Sequence, residues 1–222
     1  MRSTRLLGIL LLAACAGTAP AGTPSTVQPG VEAWAISHTQ PQQRLRLVFD
    51  WSLQEQQARF SGEGVARVDS GYRARLDLFG PRGEAVVAAA LVDSDLRLPP
   101  GANPDLLPPA ALLWSVLGVI RPPDAATLVG AEGDSISATL VYQAADERWI
   151  FQLRNSRLVH AEWTGPSQGR QTVEIRERGE RNLPSRVVYR DWRAFRELTL
   201  SLNQVYDSEP FPPETWTPGR SR

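Results

Sequence analysis

The sequence predicts a mainly β domain: a single strongly curved antiparallel sheet interrupted by inserted helices. Three observations lead there. From residue 44 onward, apolar and polar side chains alternate with period two, the signature of strands with one buried face. Turn-forming residues separate these segments at short spacing, which suits antiparallel meanders better than crossover units. Helical spacing of apolar residues interrupts the strands once, near the middle of the chain.

The chain has 222 residues and opens on Met1-Arg2-Ser3-Thr4-Arg5, followed by an apolar run and then Leu12-Ala13-Ala14-Cys15. Two arginines before a short apolar stretch, with small residues ahead of a cysteine, read as a bacterial lipoprotein signal, the alternative being an ordinary secretory signal cleaved near Ala19 or Ala21. The stretch is too short for a spanning helix, which needs roughly 20 apolar residues. The expectation is removal of residues 1–14 and lipidation of Cys15, the only cysteine in the chain. Residues 16–30 are small, proline-rich and uncharged, so the reading is a flexible tether over 15–30 and a single domain over 31–222.

Residues 31–43 read as a short first helix or an irregular lead-in. Leu45, Leu47, Phe49, Trp51 and Leu53 then form one face of the first clear strand. Phe60, Gly62, Gly64, Ala66 and Val68 line a face of the next, with two glycines suggesting a bend. Tyr72, Ala74, Leu76 and Leu78 alternate up to the turn Gly80-Pro81-Arg82-Gly83, and strands follow over 84–92 and 96–98. Over 110–119, Leu113, Val116, Leu117 and Ile120 recur at helical spacing, with Gly118 as a stop signal. Pro122-Pro123-Asp124 suggests a second helical turn through Leu128, ended by Gly130. Strands resume at residue 135 and continue through 198–202, giving ten or eleven in all. The last residues, 209–222, read as an extended tail anchored by Phe211 and Trp216.

Composition excludes several functions. Acidic and basic residues balance at 24 each, so no overall basic field gathers nucleic acid. Every basic residue is arginine; the absence of lysine removes Schiff-base chemistry and the phosphate-binding Gly-Lys loop. With Cys15 acylated, no thiol remains for a disulfide, a nucleophile or a zinc cluster. The motifs of serine hydrolases, zinc proteases and nucleotide-binding folds are missing, and His38 and His160 stand far apart, so neither catalysis nor a metal or other cofactor is expected. Glu174, Arg176, Glu177 and Arg178 read as an exposed charged strand face.

The apolar content is more informative. A curved sheet whose inner face carries Leu47, Phe49, Trp51, Leu76 and Leu78 must cover that face. Either the helix around Leu113 and Leu117 fills the interior, or a hollow remains for an acyl chain, whose binding gains about 0.8 kcal/mol per buried methylene.

The order of signal, tether, the segment Tyr72-Arg73-Ala74-Arg75-Leu76-Asp77-Leu78-Phe79-Gly80-Pro81-Arg82-Gly83, the helix Leu112-Leu113-Trp114-Ser115-Val116-Leu117-Gly118 and a further strand set resembles the LolA/LolB superfamily of lipoprotein carriers and receptors. The resemblance implies an open half-barrel with a helical lid and a cavity for lipoprotein acyl chains. It implies a LolB-like protein held in the outer membrane and facing the periplasm, binding acyl chains or lipoproteins delivered by a periplasmic carrier protein. Leu47, Phe49, Trp51, Leu76, Leu78, Leu113 and Leu117 are the expected acyl-binding residues. Phe79 and Arg82 mark the membrane-proximal turn, where Arg82 stands at the place of an exposed apolar residue in the receptor and would meet headgroups. The alternative is a non-carrier structural or assembly lipoprotein with a filled core that binds an envelope partner.

Overall fold

A computed structural model describes residues 23–102 and 107–219 of the chain. The lipoprotein signal and Cys15 lie outside the described residues. Twelve strands form one antiparallel sheet, and its two edge strands do not pair with each other. The first meander runs β1 (Leu45–Glu55), β2 (Ala58–Asp69), β3 (Arg73–Phe79), β4 (Ala85–Val92) and β5 (Asp95–Arg97). The second runs β6 (Thr127–Gly133), β7 (Ala138–Ala144), β8 (Glu147–Arg154), β9 (Arg157–Thr164), β10 (Arg170–Arg178), β11 (Pro184–Asp191) and β12 (Arg196–Asp207). β1 pairs with β12 at the middle of the sheet, so the strand order is β5-β4-β3-β2-β1-β12-β11-β10-β9-β8-β7-β6.

Two helices occupy the inner face, α1 (Val31–Thr39) and α2 (Ala110–Val116). α1 rests on β6, β7 and β9, and α2 rests on β9, β10 and β11. This is the expected mainly β architecture, an open half-barrel with a helical lid. α2 is apolar all round because it lies inside the cup: Leu112 and Trp114 are fully buried, and the Trp114 indole donates to the Asp93 carbonyl at 2.7 Å.

Strong curvature follows from a reciprocal size gradient on two paired strands. Across the inner face Trp51 opposes Gly62, Phe49 opposes Gly64, Leu47 opposes Ala66 and Leu45 opposes Val68. The ring of Phe49 lies on Gly64, where a Cβ would sit 2.4 Å from the ring and 3.0 Å from Leu78. The Trp51 indole donates to two carbonyls, Glu63 and Phe79, each at 3.0 Å, and so stitches β1 to both β2 and β3. The two glycines predicted to mark a bend thus allow close approach: Gly64 makes room for the Phe49 ring, and Gly62 for the Phe79 carbonyl that accepts the Trp51 indole.

Two departures from the sequence expectation lie in the middle of the chain and near its start. The helical turn expected through Leu128 is instead the start of β6, which makes the strand count twelve. Gly130 does not end a helix; it lets the backbone of Pro24 approach, since a Cβ there would lie 2.2 Å from the Pro24 carbonyl oxygen. From Pro24 onward the expected tether runs alongside β6. Val27 forms a parallel bridge to Ala131, with Gln28 N–H donating to Ala131 O and Ala131 N–H to Thr26 O, both at 2.8 Å. Backbone bonds that cover an edge strand outweigh the low apolar content of this segment.

At the other end of the chain, the tail crosses the outer face of β3 and β4. Trp216 is buried and meets Phe211 edge-on, with ring centroids 5.6 Å apart. Arg75 donates to the Thr215 carbonyl at 3.2 Å. Small Ala88 and Ala90 share that outer face with Arg75 and Asp77 across the β3–β4 pair, which leaves space for the tail.

Candidate functional site

At one end of the half-barrel the inner face opens into a cleft of about 810 Å³. Its apolar floor comes from Leu45 and Leu47 of β1, Val68 of β2, and Leu117 and Val119 beyond α2. One wall is the end of α1 with the loop over 40–43, and the other is the connection between β10 and β11. The volume falls within the roughly 300–1,000 Å³ of small-molecule sites.

Local sequence explains how this end is held. Thr39 at the end of α1 donates to the Ala35 carbonyl at 3.1 Å and accepts the Ile120 backbone N–H at 3.2 Å. It ties the first helix to the segment after the second. α2 stops in a Schellman arrangement: Gly118 N–H donates to Ser115 O at 2.9 Å and Val119 N–H to Trp114 O at 3.0 Å, with Gly118 in the left-handed region at φ +80°. The turn aims Val119 into the cleft floor and sets Gly118 against the Pro184 ring, which also lines the cleft. On the far side of α1, the Tyr142 hydroxyl donates to Glu32 at 2.7 Å, and burial raises the Tyr142 pKa far above its usual value.

The cleft mouth is basic. Arg157, Arg178 and Arg181 line it together with His38 and Asp207. Arg181 binds the Asp207 carboxylate through both terminal nitrogens, at 2.5 and 2.9 Å. Arg157 donates to the His38 carbonyl at 2.9 Å. Arg178 donates to the Asn182 carbonyl at 2.8 Å and also to the Leu158 carbonyl. Burial, then the neighbouring Arg157 cation, lowers the Arg178 pKa.

No family model matches the sequence, and no curated protein matches it. Solved structures do match in shape. A LolA superfamily protein from Nitrosomonas europaea superposes with a TM-score of 0.57 at 12% identity, over 88% of this chain and 98% of that one. The chain has the LolA-like fold. A domain from Vibrio parahaemolyticus, assigned to outer-membrane lipoprotein sorting, matches with a TM-score of 0.55 at 9% identity, covering 84% of this chain and 94% of the other. A DUF1329 family protein from Desulfovibrio piger matches with a TM-score of 0.50 at 9% identity, over 85% of this chain and 97% of that one.

Within this LolA-like fold the expected acyl-binding residues separate into three groups. Leu47 and Leu117 reach the cleft. Leu76, Leu113 and Leu117 surround a nearly closed space of about 20 Å³ between α2 and β3 and β4, room for about one water. Phe49, Trp51 and Leu78 pack over the β2 glycines and their strand neighbours at the other end. The helix therefore fills the middle, and the hollow lies at one end.

The turn after β3 carries Arg82 exposed, its backbone N–H bonded to the Glu84 carboxylate at 3.0 Å. Phe79 is half-buried, and its carbonyl accepts the Trp51 indole. His160 sits 3.7 Å from Glu162 on the sheet, while the His38 ring meets Trp34 at a tilt, centroids 4.8 Å apart. The His160 contact, ahead of Arg170, lowers the Glu162 pKa.

Sequence reasoning missed the basic mouth. Glu174 behaves as expected for a charged strand face, paired with Arg176 and Arg190. Arg178 does not, because the β10–β11 register shifts between Ile175 and Glu177 and again before Arg178. A bulge breaks the alternation, so Arg178 lines the cleft. Strict period-two reading cannot locate such a shift. Arg157 could have drawn notice only through its place directly after the Asn155-Ser156 turn.

Proposed function

We propose that this is a lipid-anchored protein of the bacterial envelope that holds an acyl chain in the end cleft and assists lipoprotein localisation to the outer membrane. The observation that carries the reading is the 810 Å³ cleft with a leucine and valine floor, inside a fold shared with a domain assigned to lipoprotein sorting. A floor of Leu45, Leu47, Val68, Leu117 and Val119 offers the apolar contact that acyl binding requires. The lipoprotein signal at Cys15 supports an anchor in the outer membrane facing the periplasm, with cargo handed over by a periplasmic carrier. No helix among the described residues is long and apolar enough to cross a membrane. In this reading the protein binds and releases its ligand and catalyses no reaction.

The test is mass spectrometry of lipid that copurifies with the protein from a bacterial envelope, compared with the Leu117→Trp variant. Leu117 is half-buried at the cleft floor, so an indole there occupies the hollow. Acyl lipid should accompany the wild-type protein and fall about tenfold or more in the variant, given roughly 0.8 kcal/mol per excluded methylene. A cleft free of lipid in both proteins would favour the alternative, a structural lipoprotein that presents its surface to an envelope partner.

A further inference from the structure

The mouth of the cleft has a charge imbalance that the apolar floor does not explain. Arg181 is neutralised by Asp207, with Glu180 also 3.7 Å away. Arg157 and Arg178 bond only to backbone carbonyls, and among the described residues neither forms an ion pair with a carboxylate. Other half-buried arginines of the sheet are matched: Arg67 and Arg75 share Asp77, Arg190 binds Glu174 and Glu197, and Arg196 binds Glu55. Two half-buried guanidinium groups have thus been brought to one rim without a counter-charge. Like charges there repel more strongly than they would in open water.

We propose that Arg157 and Arg178 form a headgroup site for an anionic, single-chain amphiphile, whose phosphate or carboxylate they bind while its acyl chain lies on Leu45, Leu47 and Leu117. The inference rests on the acyl-binding reading of the same cleft and adds the chemistry of the head. Each guanidinium has five N–H donors. Arg178 uses donors on Asn182 and Leu158, and Arg157 uses one on His38, so donors remain on both. The carbonyl bonds fix both groups before any ligand arrives, which reduces the ordering cost of binding. Planar forks held in this way suit phosphate and carboxylate oxygens. An incoming anion also relieves the repulsion between the two cations. The apolar floor directly inside the rim makes an amphiphile the matching ligand, whereas a free anion would use only the rim.

The experiment is calorimetric titration of the mature protein, below micelle-forming concentrations, with four probes: lysophosphatidic acid, a fatty acid, a monoacylglycerol of the same chain length, and inorganic phosphate. The two anionic lipids should bind about tenfold or more tightly than the monoacylglycerol, as expected for charge-assisted hydrogen bonds. The Arg157→Gln/Arg178→Gln variant should remove most of that preference, read as the ratio of anionic to monoacylglycerol affinity within the same protein. Should the double variant fail to fold, Arg157→Gln alone is read, since it loses a single carbonyl bond; its ratio of anionic to monoacylglycerol affinity should fall about threefold or more. Equal affinity for charged and neutral heads would overturn the headgroup site while leaving the acyl cleft intact. Inorganic phosphate binding as tightly as lysophosphatidic acid would overturn the amphiphile in favour of a free-anion site. Binding of no acyl probe would reject the acyl cleft itself, and the headgroup site with it.

Discussion

The two ends of β1 treat the same problem oppositely. Toward one end, Trp51 and Phe49 pair with Gly62 and Gly64: the Phe49 ring lies on Gly64, Gly62 admits the Phe79 carbonyl that takes the Trp51 indole, and the interior is full. Toward the other, Leu47 and Leu45 face Ala66 and Val68, and the space above them is the cleft. Rings over glycines leave no room for a ligand, yet they curl the sheet enough to make a cup. Medium side chains facing medium side chains give an even apolar floor. One alternating strand thus supplies both the closure that stabilises the fold and the surface that can bind.

Substitutions at the two ends should therefore differ in kind. Trp51→Ala removes a buried indole and two hydrogen bonds that join three strands, and should cost about 3–5 kcal/mol in denaturant unfolding. Leu47→Ala, at the margin of an existing hollow, should cost about 2 kcal/mol, the low end for such truncations. It should weaken acyl binding more than Trp51→Ala does. Equal losses of stability at the two sites, or greater loss of binding from Trp51→Ala, would break the division between a packed end and a binding end.

Gly118→Ala is the next in size. Its positive φ disfavours any side chain, and the new Cβ would lie 2.9 Å from the Pro184 ring. The expected cost is about 1–2 kcal/mol, from the left-handed conformation. Because Pro184 lines the cleft, lipid affinity should fall as well. A neutral effect on both would mean that the turn after α2 does not set the mouth.

Much of this organisation was legible in the sequence. The alternation over Leu45, Leu47, Phe49 and Trp51 predicted the inner face, and the glycines at 62 and 64 predicted its bend, because both depend on side-chain size along one strand. The spacing of Leu113, Val116 and Leu117 predicted a helix, and Gly118 its end. What failed depended on partners distant in sequence. The start of β6 reads as a helical turn because Pro122, Pro123 and Gly130 imitate helix punctuation, whereas Gly130 is small to admit Pro24, more than 100 residues earlier. The basic mouth was hidden because a bulge turned Arg178 inward. The position of the hollow was hidden for a related reason: whether an apolar residue meets a ring, a helix or open space is decided by strand register and helix placement, and both ends carry the same residue class.

The smallest expected effect tests what holds the open end together. With no rings seated over glycines there, its walls are joined by hydrogen bonds, and Thr39 links α1 to the segment after α2. Thr39→Val keeps the shape and burial of the side chain but removes the acceptor, leaving the buried Ile120 N–H without its partner. The expected loss is about 1 kcal/mol, the low end of the desolvation cost of an unpaired buried donor. Hydrogen exchange should be faster at Ile120 and at the end of α1, while amides of β1 and β2 around Phe49 and Gly64 keep their protection. Faster exchange spread evenly over both ends would show one cooperative unit. Confined to the mouth, it would show that the cleft can loosen without opening the packed end, as a site that must take in and release an acyl chain requires.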